Sequence, residues 1–112
     1  MHRNTPGFME AIAWVSPKAR PEDHRIARAY DPQLLVSLLR DRQANAHSVH
    51  GALWAALFIA RELPPELRAD LREAVEALED DPRLIEHDPR EGLPGDPLSD
   101  VVRITLRQWP RS

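Results

Sequence analysis

The sequence contains no cysteine, which excludes disulfides and thiolate metal sites and leaves packing alone to hold the fold. Glycine is scarce as well: four occur in 112 residues, with no cluster among them, so no phosphate-cradling loop can be built. Only five serines occur, and none stands in a Gly-x-Ser-x-Gly turn, the usual setting of a nucleophilic serine in a hydrolase. Long apolar runs are missing too. The longest, Gly51 to Ala60, has ten residues, whereas a membrane-spanning helix needs about 20. Met1 to Pro6 lacks the basic segment and apolar stretch of a secretory signal, so the expected location is cytoplasmic.

Lysine is nearly absent, since Lys18 stands against 14 arginines, and alanine also occurs 14 times. That bias fits a GC-rich bacterial genome and lowers the information carried by any single arginine cluster. Apolar residues make up 42%, charged residues 29%, and the net charge is −3. These values describe a globular chain and not a disordered one. The length suits a single domain over residues 1–112, with 1–20 as a more loosely packed N-terminal segment. A core of this size covers a modest fraction of the surface and leaves room for a partner.

Charge is unevenly spread. Met1 to Arg61 carries eight basic and five acidic residues, Glu62 to Asp96 four and twelve, and Pro97 to Ser112 three and one. The acidic middle argues against a phosphate-binding surface there, so only the chain ends could meet nucleic acid.

The hydrophobic pattern predicts an all-α fold, a small bundle of three to five helices. Thr5 to Val15 reads either as a helix opened by Thr5 and Pro6 or as a strand from Met9. Pro21 to Tyr30 predicts a short helix with Glu22 and Asp23 in its first turn, where negative charge is favourable. Asp31 and Pro32 then supply an N-cap and a first helical residue. Leu34, Leu35, Leu38 and Leu39 recur at helical spacing, and no proline or glycine interrupts before Gly51. One continuous helix from Pro32 to about residue 62 is therefore favoured over a break within Arg40 to Ser48.

Leu63-Pro64-Pro65 is a clear stop. Leu67, Leu71, Ala74, Val75 and Leu78 follow as the cleanest amphipathic stripe in the chain, ended by Asp80, Asp81 and Pro82. Those two aspartates read as a solvated pair. Leu84 and Ile85 read as a last apolar turn before the loop His87 to Gly95. Asp96 to Trp109 is expected to be helical, with Asp96 as N-cap and Leu98, Val101, Val102, Leu106 and Trp109 on one face. Its β-branched run Val101 to Thr105 leaves a rival architecture, a helical core with a two-stranded ribbon joining the chain ends.

Four groups of residues are candidates for function. His47 and His50 stand three apart beside Trp54 and could hold a metal if further ligands joined them. No Glu-x-x-His occurs, so the di-iron bundle pattern is missing and no cofactor is implied. Arg40 and His47, seven apart, and Arg42 and His47, five apart, resemble the arginine–histidine motif of HEPN ribonucleases. In such a site an imidazole acts as acid or base while a guanidinium holds phosphate. Arg103, Arg107 and Arg111 recur every four residues and would form a basic stripe, more commonly a solvated face than a nucleic-acid contact. The Gly51 to Ala60 run is apolar all round. It is either covered within the bundle or offers Trp54, Leu57 and Phe58 to another protein or a second copy of the chain.

Leu53-Trp54, followed by Leu63-Pro64-Pro65-Glu66-Leu67-Arg68 and by Leu98-Ser99-Asp100-Val101-Val102, resembles the FlaF family of flagellin regulators. There a helix bearing Leu-Trp leads into a Leu-Pro turn and a helix opening with Leu-Arg. The chain departs from the family in carrying His50 and Gly51 where an asparagine is expected. The resemblance implies a short helical protein that acts in flagellin synthesis by binding partners. The residues themselves favour a protein-interaction module, an adaptor, regulator or accessory subunit, over an enzyme.

Overall fold

The computed structural model describes residues 20–85 and 95–110. The helix-or-strand alternative at Thr5 to Val15, most of the loop from His87 and Arg111 lie outside them. Five helices and one small ribbon are present among the described residues.

Helix α1, Pro21–Ala29, opens on a proline with Glu22 and Asp23 in its first turn, where proline loses no helical hydrogen bond and acid faces the positive helix end. It stops at Tyr30, a non-glycine residue in the left-handed region at φ 51. Helix α2, Pro32–Arg40, restarts one residue later, with the Asp31 carboxylate accepting from the Gln33 and Leu34 amides. Its buried side is Leu35, Leu38 and Leu39.

The expected continuous helix from Pro32 to about residue 62 does not form. The chain breaks after Arg40, and α3 runs from Ala46 to Ala60. Asp41 takes an extended backbone, and its carboxylate accepts from the Gln43 amide at 2.8 Å. Asn45 then caps α3 by accepting from Ser48 N at 2.8 Å. Short polar side chains that bond their own backbone offer an alternative to the helical ladder, and here two of them sit four residues apart.

Helix α3 is the axis of the fold. It packs against α1, α2, the next helix α4 (Pro65–Glu76), the last helix α5 (Leu98–Arg107) and the strand β1 (Leu84–Ile85). Ala46, Gly51, Ala52, Ala55, Ala56 and Ala60 are all buried along it, and side chains this small let neighbouring helices approach closely. The apolar run is thus covered largely by its own chain.

Helix α4 begins at Pro65 and buries Leu71, Ala74 and Val75, with Leu78 buried just beyond its end. Leu84 and Ile85, expected as an apolar turn, instead form β1, paired antiparallel with β2 (Asp96–Pro97) through Leu84↔Pro97 and Ile85↔Asp96. The architecture is therefore a helical core plus a two-stranded ribbon, made from these two segments and not from the chain ends. Because Asp96 and Pro97 belong to the ribbon, Asp96 is not an N-cap, and α5 starts at Leu98.

The β-branched run from Val101 is helical. Leu98, Val102, Thr105 and Trp109 face the core, and the Thr105 hydroxyl donates to Val101 O at 2.8 Å, which satisfies it inside the helix. No helix among the described residues is long and apolar enough to cross a membrane.

Candidate functional site

Ten of the fifteen residues of α3 are buried. The remaining five, His47, His50, Trp54, Leu57 and Phe58, are half-buried. Their spacing of three and four places them on one face, so the central helix presents a single outward stripe, polar at its start and aromatic further on.

Two contacts fix the stripe. The indole N–H of Trp54 donates to His50 Nε2 at 3.0 Å, and the ring of Phe58 lies 5.7 Å from that of Tyr30 in a tilted arrangement. A histidine that accepts on Nε2 carries its proton on Nδ1 when neutral. Burial is the main reason the His50 imidazole is pushed down to about 4, with His47 adding to the effect and Asp96 opposing it. His50 is thus held neutral, with Nε2 engaged by the Trp54 indole. Metal binding through Nε2 would require breaking the Trp54 bond. No group of three His, Cys, Asp or Glu side chains that could hold a metal is found among the described residues.

The arginine–histidine pairs fare differently from their expected arrangement. Arg40 is the last residue of α2 and His47 lies in the first turn of α3, with the Asp41–Asn45 connection between them. A seven-residue spacing no longer means two turns of one helix, so the register that made the pair resemble a ribonuclease motif is lost. Arg42 is committed elsewhere, to Asp81 Oδ2 at 3.1 Å. Arg40 instead lines an open groove of about 320 Å³ between α2 and α4, together with Pro32, Gln33, Val36, Leu67 and Asp70. In the expected basic stripe, Arg103 pairs with Asp100 at 3.0 Å on the exposed surface.

A second set of perturbed charges belongs to a brace that the sequence does not announce. Asp81, expected to be solvated beside Asp80, has a side chain only 1% exposed. It accepts from Arg83 Nε and Nη2, both at 2.8 Å, from the Arg83 amide at 2.9 Å, and from Arg42. Hydrogen bonds from Arg83 hold its carboxyl below the ordinary carboxylate range.

Arg83 also donates to the carbonyls of Ala44 and Asp41. On the other side, Arg20 clamps the buried Asp23 through two nitrogens and reaches Asp41 Oδ2 at 3.0 Å. The Gln43 amide, and then Arg20, hold the Asp41 carboxyl low. A cluster of perturbed carboxylates is a usual mark of an active site. Here the chain's own arginines engage these carboxylates, and the cluster pins the α2–α3 connection from both sides.

The Leu-Pro turn has an equally structural reading. Arg68, four residues after Pro64, donates to Ala60 O at 2.8 Å, to Leu63 O at 3.0 Å and to Arg61 O at 3.4 Å. It therefore caps the last carbonyl of α3, which has no partner within that helix, and ties down the turn that follows. No family model, curated protein or solved structure matches the chain. The likeness to flagellin regulators rests on the quoted residues alone.

Proposed function

We propose that the chain is a small helical protein-interaction module, and that the α3 stripe of Trp54, Leu57 and Phe58 forms its contact with a partner protein. The observation that carries this reading is the composition of that face. The buried ten residues of α3 are mostly small, whereas the half-exposed remainder holds the helix's only two aromatic side chains. Large aromatic residues at partly exposed positions are the commonest anchors of protein interfaces. The His50–Trp54 bond orients the indole before any partner arrives, which lowers the entropy lost on binding.

A photo-crosslinking residue in place of Leu57, expressed in the protein's own host, tests the proposal. One defined partner should be captured, and Trp54→Ala with Phe58→Ala should abolish capture while far-ultraviolet circular dichroism stays unchanged. No crosslinked species, or capture indifferent to the double variant, overturns it. Flagellin as the captured protein is the outcome implied by the family resemblance.

A further inference from the structure

The outward stripe of α3 is flanked by α1. At one end the Arg20 amide donates to Ser48 Oγ at 3.3 Å, in the first turn of α3. At the other end Tyr30, just past α1, stacks its ring at a tilt against Phe58. Helix α1 therefore runs parallel to α3, and Tyr30 extends the aromatic end of the stripe sideways. Ile26, one turn before Tyr30 and likewise half-buried, continues that apolar edge. The hydrogen bond from Arg20 also fixes where the preceding residues enter. They join the described fold beside Ser48, between His47 and His50 in sequence, at the polar start of the stripe.

Within those preceding residues, Thr5 to Val15 holds a single charge, Glu10, against Phe8, Met9, Ile12, Trp14 and Val15. So apolar a segment gains by covering another apolar surface. At helical spacing Phe8, Met9, Ile12 and Val15 share one side. Only Ser16 to Ala19 separates the segment from Arg20, and connections this short join antiparallel neighbours. The lengths agree as well: at 1.5 Å per residue, Thr5 to Val15 spans about 15 Å and His47 to Phe58 about 17 Å.

We propose that the chain's own N-terminal segment, Thr5 to Val15, docks antiparallel along the α3 stripe and covers Trp54, Leu57 and Phe58. Val15 then falls beside His47 and His50, and Phe8 beside Phe58 and Tyr30. On the reading that this face meets a partner, on which the regulatory consequence rests, the segment is a tethered competitor. A tethered occupant acts at an effective concentration on the order of millimolar. The partner binds only the fraction of molecules whose segment is released, and its apparent affinity falls by that fraction.

Photo-crosslinking of the purified full chain, with no partner present, tests the docking. A crosslinking residue in place of Leu57 should join a peptide within Thr5 to Val15, in a product that keeps the mass of one chain. Phe8→Asp with Ile12→Asp puts charge on the docking side and should reduce that link by about fivefold or more. Circular dichroism checks that the helices persist in this variant. In the protein's own host, the same double variant should raise partner capture by about threefold or more, because the released fraction grows.

Absence of the internal link, a link to any other segment, or a link that survives the double variant would each overturn the proposal. So would a product of two joined chains, which would make a second copy the occupant. Partner capture that is unchanged or lowered in the double variant overturns the competition. If no partner is captured at all, the partner reading of α3 fails by itself, since the internal link is measured without one and decides the docking alone.

Discussion

Trp54 donates its indole proton to His50 Nε2 one helical turn earlier, at 3.0 Å, so the outward face of α3 depends on an imidazole that stays unprotonated. Protonation of Nε2 would replace an acceptor with a donor and break the bond.

That dependence has a definite pH signature. The His50 pKa falls from 6.5 in the unfolded chain to about 4 in the fold. Between those values the unfolded state binds a proton that the folded state refuses, so stability declines as pH drops from 6.5 and levels off near 4. Thermal denaturation followed across this window should show a melting temperature that falls with pH. His50→Gln, which keeps an acceptor for the indole but cannot titrate, should flatten the curve. An unchanged slope in that variant would assign the effect to another group.

Asp41 and Asp81 act in a lower window. Both carboxyls are held below their ordinary value of 3.8, so their contribution is complete above it and is lost as pH falls through their folded-state values. A second acid transition, distinct from the histidine one, is expected; it should be reduced in a variant lacking Asp81 and absent only in one lacking both Asp41 and Asp81.

Removing Asp81 leaves Arg83, only 18% exposed, without its counter-ion. Truncating one member of a buried pair costs several kcal/mol because the other charge is left uncompensated. Asp81→Ala should destabilise by about 3 kcal/mol in urea denaturation. Asp81→Leu combined with Arg83→Met should cost clearly less than the two single changes added together. Additive costs would mean the two side chains act independently.

Helix ends give two smaller expectations. Asn45→Ala removes the acceptor for Ser48 N and should cost about 1 kcal/mol. Arg68→Ala removes the charged donor from the carbonyls of Ala60 and Leu63, of which Ala60 keeps the Leu63 amide, and should cost about 1–2 kcal/mol, the scale of a hydrogen bond from a charged donor. Neither change touches the α3 stripe, so partner capture should persist in both; its loss would show that the stripe is not the contact.

Much of the helical framework was legible because its signals are local. Pro21, Pro32 and Pro65 each stand at the first position of a helix, and Asp31 caps α2 as its position before a proline implied. The break after Arg40 was not legible, because no proline or glycine marks it. Asp41 and Asn45 bond their own backbone, and arginines 21 and 39 residues away secure the result. Asp81 reads as solvated because its burial depends on contacts 39 residues away, from Arg42 to Asp81 and from Arg83 to the Ala44 carbonyl, although its main partner Arg83 stands only two residues on. At the site, the spacing of His47, His50 and Trp54 located a common face correctly. The identity of the covered side of α3 depended on which helices pack against it, and no local pattern holds that information.

The brace around the Asp41–Asn45 connection also bears on the order in which the molecule assembles. Its ties span 21 residues to Arg20 and 39 residues to Asp81 and Arg83, and long-range closures carry an entropy cost that is recovered only late. Helices α2 and α3 can meet early through their own leucines and alanines. The connection between them locks only when segments from both sides in sequence have docked. Lesions in the brace should therefore quicken unfolding far more than they slow folding, making this short turn the latch that sets how long the native state persists.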